Sequence, residues 1–230
     1  MSEQIERTLN HFALFAFTDA YWAASAGERA DFHGAWLEGL RAASRRFDLY
    51  QVFPTEATAD ILAWSAVPAG EVDTAFDFFD AFARATNPWR RYVRMTETLW
   101  GYTKPSQYSR AQRSTQEIDP FADERKRYLV MYPFVKTVEW YLMSRDARQG
   151  MMNEHIRIGK QYPEISQLLL YSFGVQDQEF VVVYEMDDLK QFSDLVGDLR
   201  GTDARRYTER DTPLHAGFWR PAEEALALFR

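Results

Sequence analysis

Two apolar runs on either side of a short turn decide which fold this chain can adopt. They are SQLLLYSF at residues 166–173 and EFVVVYEM at residues 179–186. Leucine, β-branched and aromatic side chains dominate both runs, as is typical of strands. The segment GVQD at residues 174–177 lies between them and supplies the turn. We therefore predict a β-hairpin in the second half of the chain.

The segments around this hairpin are predicted to form the remaining elements of a complete βαββαβ unit. Residues 127–135 are predicted to form a strand and residues 138–161 a helix. After the hairpin, residues 188–200 place apolar side chains at helical spacing, with Asp187 as the predicted N-cap. A last strand is expected at residues 213–219. This order of elements is typical of a ferredoxin-like domain.

The first half of the chain repeats this order, although few residues are identical between the halves. A helix over residues 27–46 carries Phe32, Trp36 and Leu40 on one apolar face. The other predicted elements are strands at residues 9–17, 49–54, 59–67 and 92–102 and a helix at residues 71–86. The order predicts an α+β protein with two ferredoxin-like halves in tandem.

We expect three parts along the chain: an N-terminal half at residues 1–104, a linker at residues 105–125 and a C-terminal half at residues 126–230. Proline, polar and charged residues dominate the linker. An exposed linker is one interpretation. A functional loop is the other, because long loops in compact proteins often carry functional residues.

Composition excludes several classes of function. Basic residues number 27 and acidic residues 34, and the formal net charge is −7 without a basic block. Nucleic acid is therefore an unexpected partner. The chain has no cysteine, which excludes disulfides, thiol catalysis, iron–sulfur clusters and cysteine-based zinc sites.

The same sequence predicts a soluble cytoplasmic protein. No apolar run approaches the roughly 20 residues that a membrane span needs. The first residues include Glu3 and Glu6, where a signal peptide would be basic. The absence of cysteine also fits a reducing compartment.

His155 is the residue with the most chemical potential. It shares a helical stripe with Met151, Met152, Ile158 and Gly159. A neutral imidazole is a common ligand of haem iron, but a lone histidine on such a stripe is more often a core residue. The other histidines form no HxxxH or HxH pair, so a zinc site with two helical histidines is not supported.

Short motifs follow one another through the C-terminal half. They are Tyr132-Pro133 followed by Lys136, the pair Trp140-Tyr141, the pair Glu154-His155, and YSFG at residues 171–174 followed by Glu185. In order and spacing they resemble the chlorite dismutase family, and more closely its coproheme decarboxylase branch. In the first half, KPSQY at residues 104–108 and the order of elements match as well. The resemblance implies that the two halves form a dimeric α+β barrel-type subunit.

The resemblance implies a proximal haem ligand with two supporting residues. His155 is expected to bind the iron. Glu185 is expected to accept a hydrogen bond from the other ring nitrogen, and Lys136 to pair with Glu185, which would make the imidazole more electron-donating. The alternative for Glu185 is an acid at a strand end that faces water.

Two further residues distinguish the branches of the family. Gln167 matches the position above the iron, where chlorite dismutases resemble one another in carrying an arginine that suits an oxyanion. Tyr141 stands where chlorite dismutases commonly have a second tryptophan, and decarboxylases of the family use this tyrosine as a radical relay. The alternatives are a half-buried strand glutamine and a core tyrosine beside Trp140.

The 104–108 loop resembles the family's loop that contacts porphyrin propionates. Tyr108 is the expected contact, with Ser106 and Lys104 as further candidates. Hydrogen bonds from charged donors to carboxylates fit this role. The alternative is the exposed linker described above.

The function implied by the resemblance is coproheme decarboxylation in haem biosynthesis. Iron coproporphyrin III (coproheme III) would be substrate and cofactor at once, hydrogen peroxide the oxidant, and haem b the product after two propionates become vinyl groups. The resemblance also implies a homo-oligomer, a pentamer. The alternatives are chlorite dismutation, a related peroxidase, a non-catalytic haem-binding protein, and a haem-free barrel in which His155 is a core residue.

Overall fold

The computed structural model of the chain describes residues 7–108 and 114–230. The strands in these ranges are β1 Thr8–Phe17, β2 Arg46–Gln51, β3 Ile61–Pro68, β4 Val93–Thr103, β5 Tyr128–Lys136, β6 Ser166–Tyr171, β7 Phe180–Met186, β8 Thr208–Arg210 and β9 His215–Trp219. The α-helices are α1 Asp19–Trp22, α2 Ala26–Ala42, α3 Thr74–Thr86, α4 Val138–Leu142, α5 Arg145–Gly159, α6 Leu189–Arg200 and α7 Ala222–Ala227. Short 3₁₀ helices lie at Asn87–Trp89 and Asp203–Tyr207.

The predicted order of the main elements is confirmed, but α1, β8, α7 and the 3₁₀ helices were not predicted, and three of the predicted elements differ in detail. The helix expected at residues 138–161 is two helices, α4 and α5, and the side chain of Ser144 caps the second. β2 begins at Arg46, which the periodicity assigned to a helix. The N-cap of α6 is Asp188 rather than Asp187, because the Asp188 carboxylate accepts the hydrogen bond at the start of that helix.

The strands form a closed ring of two ferredoxin-like halves. The first half has the order β4-β1-β3-β2 and the second the order β9-β5-β7-β6, and β8 adds to the end of β5. Pairing of β2 with β9 and of β4 with β6 joins the halves on both sides. The predicted α+β barrel of tandem ferredoxin-like halves is therefore confirmed. Closure leaves few unpaired strand edges.

Strand residues alternate between the barrel interior and an outer face that the helices cover. The interior holds a single apolar cluster from both halves, which includes Phe12, Trp64, Leu168 and Val181. The outer faces pack separately, against α2 and α3 in the first half and against α5 and α6 in the second. Each candidate site residue on a strand therefore lies either in the barrel interior or on one of the two outer faces.

The described part of the linker is not exposed throughout. Ile118 is buried in the barrel interior, and its amide donates a hydrogen bond to the Gln167 carbonyl at 3.0 Å. The Arg125 side chain is also buried. Residues 109–113 of the predicted linker lie outside the described residues. Within the described ranges, every helix is too short or too polar to cross a lipid bilayer.

Candidate functional site

Helix α5 covers the outer face of the C-terminal sheet without burying a side chain. None of its 15 residues is buried, and the whole helix lies in the described part of the chain. Its inner stripe of Met151, Met152, His155 and Ile158 stays half-buried. Only Ile158 packs against the apolar cluster between this sheet and α6. The stripe therefore lacks the protein partner that an apolar helix face normally has.

The sheet on the same side of the molecule also leaves apolar side chains uncovered. Leu169 is 40% exposed and Phe173 is 48% exposed, while Tyr171, Phe180 and Val182 are half-buried. We call these five residues the outer wall. The Phe180 ring lies 4.9 Å from that of Phe173 and 5.3 Å from that of Tyr171. Helix stripe and outer wall together offer two apolar surfaces for a flat apolar ligand.

His155 is available as a neutral ligand. Among the described residues, no hydrogen bond reaches either of its ring nitrogens. Burial, and then the positive charge of Lys136, lower the pKa of His155 to about 4. The imidazole is therefore neutral at physiological pH, which is the state that binds a metal ion.

Lys136, the last residue of β5, is buried near His155. Its ammonium donates a hydrogen bond to the Ala204 carbonyl at 3.1 Å and lies 4.3 Å from the centre of the Trp140 ring. Burial, and then the charge of Arg205, lower the pKa of Lys136 to about 8. The structure thus places Lys136 close enough to His155 for its charge to lower the pKa of the imidazole.

The predicted pair of Lys136 with Glu185 is wrong. Strand register places Glu185 opposite Leu129. Leu129 lies seven residues from Lys136 along β5, which corresponds to about 23 Å at roughly 3.3 Å per residue. Glu185 follows Val181 and Val183 at a period of two, so its side chain points into the barrel and away from α5.

In the barrel, Glu185 belongs to a buried polar group that joins the two halves. The Tyr50 hydroxyl donates a hydrogen bond to it at 3.3 Å, and the Arg125 guanidinium lies 3.7 Å away. Arg125 also pairs with Asp48 at 2.9 Å. Burial raises the pKa of Glu185 to about 7, against the lowering effect of Arg125. The expected hydrogen bond from His155 to Glu185 is therefore excluded as well.

The carboxylate close to Lys136 belongs to Glu179, which the sequence reasoning missed. Glu179 directly precedes β7, and its Oε2 accepts the Lys136 amide at 2.8 Å. The same oxygen accepts a hydrogen bond from the Tyr141 hydroxyl. Strand register explains the contact, because Phe180 lies opposite Phe134 and Glu179 therefore reaches the end of β5. The sequence alone did not indicate this register.

Tyr141 lies at the edge of the outer wall. Its ring packs edge-on against Phe173 at 6.1 Å, and the residue is 37% exposed. Burial, and then the hydrogen bond to Glu179, raise the pKa of Tyr141 far above its ordinary value. Trp140 beside it is buried, so the helical turn of α4 points one ring inward and the other toward the wall.

The 104–108 loop reaches the same region. The Tyr108 ring lies 6.4 Å from that of Trp140, and its carbonyl accepts a hydrogen bond from Gln149 of α5 at 3.1 Å. Burial raises the pKa of Tyr108. The Lys104 ammonium lies 5.5 Å from the centre of the Tyr171 ring. The structure therefore brings Tyr108 to the edge of the outer wall.

Gln167 lies at the opposite end of the same sheet face. It pairs in register with Tyr184, and Tyr184 with Val130, six residues before Lys136. Its side chain is exposed. Tyr108, Lys136, Tyr141 and His155 are thus grouped in one region of the outer face, while Leu169 and Tyr171 separate Gln167 from the Tyr141 end.

Comparison with known proteins identifies the family. A family model described as chlorite dismutase matches residues 23–220. The coproheme decarboxylase of Mycolicibacterium smegmatis is 29% identical over 174 residues, covering 74% of this chain and 71% of that protein. A putative haem-binding protein of Halobacterium salinarum is 29% identical over 132 residues, covering 52% of this chain but only 27% of its own length. The chain belongs to the chlorite dismutase family.

Solved structures share the fold. A chlorite dismutase variant from Candidatus Nitrospira defluvii aligns with a TM-score of 0.83 at 20% identity, over 98% of this chain and 96% of that one. A protein described as a putative chlorite dismutase aligns with a TM-score of 0.81 at 22% identity, over 98% of this chain and 100% of its own. At these identities the likeness concerns the fold alone.

Proposed function

We propose that this member of the chlorite dismutase family is a coproheme decarboxylase that makes haem b from iron coproporphyrin III. One observation carries the proposal: neutral His155 and Tyr141 lie on the same side of the C-terminal sheet, beside a helix that buries none of its residues. The identity to the Mycolicibacterium smegmatis decarboxylase over most of both chains supports it.

The residues of this region fit an iron porphyrin. His155 would bind the iron, because its imidazole is neutral and its nitrogens are free of hydrogen bonds within the described chain. The α5 stripe and the outer wall would pack on the macrocycle. Lys104 and Tyr108 lie at the edge of the wall and would contact the propionates.

The bound iron porphyrin supplies the chemistry of peroxide reduction. For each propionate, one hydrogen peroxide and one proton are consumed, and one vinyl group, one carbon dioxide and two water molecules are formed. Tyr141 gives up its phenolic hydrogen, and its radical takes a hydrogen atom from the β-carbon of the propionate. Lys136 helps to keep His155 neutral.

Chlorite dismutation is the weaker candidate. An oxyanion is best held by a fixed cationic donor such as arginine, whereas Gln167 at the start of β6 carries a neutral amide. We keep Gln167 as the proposed residue above the iron.

The same function carries three further proposals: hydrogen peroxide as the oxidant, a cytoplasmic location and a homopentamer. Light scattering of the purified protein tests the homopentamer.

Peroxide titration of the coproheme complex tests the function. We expect mass spectrometry to detect a three-propionate intermediate and then haem b as hydrogen peroxide is added stepwise. Bleaching of the porphyrin without vinyl products would overturn decarboxylation. Sustained oxygen release from chlorite by the haem-loaded protein, followed with an oxygen electrode, would favour the dismutase instead.

A further inference from the structure

Tyr141 and Glu179 form a hydrogen-bonded pair at the edge of the outer wall. The Tyr141 hydroxyl donates to Oε2 of Glu179, and the Lys136 amide donates to the same oxygen at 2.8 Å. The backbone donor fixes the orientation of the carboxylate, and the Phe173 ring packs against Tyr141. Both partners of the phenol come from one hairpin, at residues 173 and 179. The pair is therefore preorganised by backbone geometry.

We infer that Glu179 accepts the phenolic proton when Tyr141 is oxidised by one electron, an inference that rests on the proposed function. A tyrosine that loses an electron becomes strongly acidic, so oxidation is easiest when a base already holds the proton in a hydrogen bond. The Tyr141 electron passes to a one-electron oxidant, a peroxide-oxidised metalloporphyrin in the proposed function. Its proton passes to Oε2 of Glu179, which leaves a neutral tyrosyl radical and a protonated carboxyl group.

The second half of the cycle restores both residues. The radical takes a hydrogen atom from the substrate carbon, which re-forms the Tyr141 O–H bond. The substrate radical then gives its remaining electron to the same oxidant, and carbon dioxide leaves as the vinyl group forms. The proton on Glu179 then leaves toward the oxygen of the reduced peroxide as water forms. Reduction of one peroxide to two water molecules takes up two protons. Glu179 supplies one of them, which the substrate hydrogen replaces on Tyr141, and solvent supplies the other, which is the net proton consumed.

The other groups around Tyr141 are unsuited to accept its proton. Besides Glu179, the charged and titratable groups that influence it are Arg148 and Tyr108. A guanidinium is a donor only, and a protonated phenol is a very weak base. The raised pKa of Tyr141 keeps its phenol protonated until oxidation, as a hydrogen-atom carrier requires.

Photo-oxidation of the iron-free protein tests the pair without the porphyrin. A dissolved ruthenium tris-bipyridine complex serves as the one-electron oxidant. The difference between the parent protein and Tyr141→Phe isolates one tyrosine among the 12 in the chain. We expect Glu179→Gln to slow this Tyr141-dependent oxidation by about tenfold or more, because an amide cannot take the proton. Glu179→Asp retains a base and should recover most of the rate.

Asp177→Asn is the matched control. Asp177 lies in the same hairpin and is exposed, and its replacement removes the same charge without touching Tyr141. This variant should oxidise at the parent rate, and circular dichroism should show all four variants folded. Oxidation of Tyr141 in Glu179→Gln at the parent rate would overturn the inference.

Turnover of the coproheme complex provides the second measurement. Glu179→Gln should lower kcat for vinyl formation by about 10²-fold, while KM for coproheme changes by less than about threefold. An unchanged kcat would also overturn the inference. If no protein, parent included, forms haem b, the proposed function fails. Slower photo-oxidation of Glu179→Gln would still support Glu179 as the proton acceptor of Tyr141.

Discussion

The two halves of the barrel share one order of elements but treat their long helices in opposite ways. In the N-terminal half, α2 buries five residues, and the Trp36 ring lies 5.0 Å from Phe15 and 5.2 Å from Phe32. In the C-terminal half, α5 buries none. Protein interiors are normally close-packed, so a helix left unpacked over an apolar wall indicates space for a ligand.

The short helices α1 and α4, which precede α2 and α5, show the same difference in packing. In α1, Tyr21 is fully buried, and its hydroxyl donates a hydrogen bond to the Phe229 carbonyl at 2.6 Å. In α4, Trp140 is the buried ring, and Tyr141 faces the outer wall. One backbone plan thus produces a solid core in one half and a candidate site in the other.

The largest expected effect is on the rate of vinyl formation, which should depend on Tyr141 but not on Tyr21. Tyr141→Phe should bind coproheme with nearly normal affinity but lower the rate of vinyl formation by about 10³-fold or more, because it lacks only the hydroxyl. Tyr21→Phe should leave that rate unchanged and lower the free energy of unfolding by about 1–3 kcal/mol, since the buried Phe229 carbonyl loses its donor. Product analysis and urea unfolding measure the two effects. Haem b formation by Tyr141→Phe at the parent rate would move the radical role to another residue.

A second pair of variants compares the histidines of α2 and α5. His155→Ala should weaken coproheme binding by more than about 100-fold, since even the outer partners of a metal ligand contribute about 10–100-fold. His33→Ala removes a buried partner of the Tyr21 hydroxyl in the other half of the barrel and should leave the affinity within about twofold of the parent value. Titration followed by the Soret band measures both. Equal affinities in the two variants would remove His155 from the site.

The packing difference itself predicts unequal losses of stability. Trp36→Ala should lower the free energy of unfolding by about 3–5 kcal/mol, because it leaves a cavity in a filled core. Met152→Ala, on the open stripe of α5, should cost less than about 1 kcal/mol in the ligand-free protein. Urea unfolding of both variants gives the comparison. Similar losses would mean that α5 is packed in solution as tightly as α2.

A further stability prediction concerns Glu185 and pH. Its pKa is raised from 4.5 to about 7 in the folded protein, so between these values the folded state holds a proton that the unfolded state has lost. Stability therefore falls as pH rises from 4.5 to 7. In Glu185→Gln, the free energy of unfolding should decrease by about 1–3 kcal/mol less than in the parent over this pH range. Unfolding free energies across this range measure it, and parallel curves for variant and parent would contradict it.

Resonance Raman spectroscopy tests whether Glu185 contacts His155. The iron–imidazole band of the haem-loaded protein should not change in Glu185→Gln, because Glu185 points into the barrel rather than toward α5. A shifted band would mean that Glu185 reaches His155 after all.

Much of the fold could be predicted from local pattern. Apolar periodicity located the hairpin and both long helices, because each element shows its inward face in its own sequence. The break between α4 and α5 was missed, although Ser144 is a typical N-cap residue. The grouping of Tyr141 with His155 also followed from the family's motifs, since both residues lie on one continuous segment.

The carboxylate next to Lys136 shows where sequence reasoning failed. Glu179 and Glu185 belong to the same hairpin and differ by six residues, and only the register of β5 against β7 decides which one lies near Lys136. The alternation of the strand also places Glu185 with Val181 and Val183 on the inner face. The resemblance to family motifs predicted neither the register of β5 against β7 nor the inner position of Glu185, because motif order does not specify which face a side chain occupies.

The sequence by itself determined the order of elements and the absence of thiol chemistry, since each depends on residues close together in the chain or on composition, and its resemblance to a family indicated the candidate iron ligand. Tertiary structure alone decided that β2 meets β9 and β4 meets β6, that α2 is packed while α5 is open, and that Tyr141 is bonded to Glu179. These features depend on pairing between distant segments, where a shift of one residue turns every side chain of a strand to the other face.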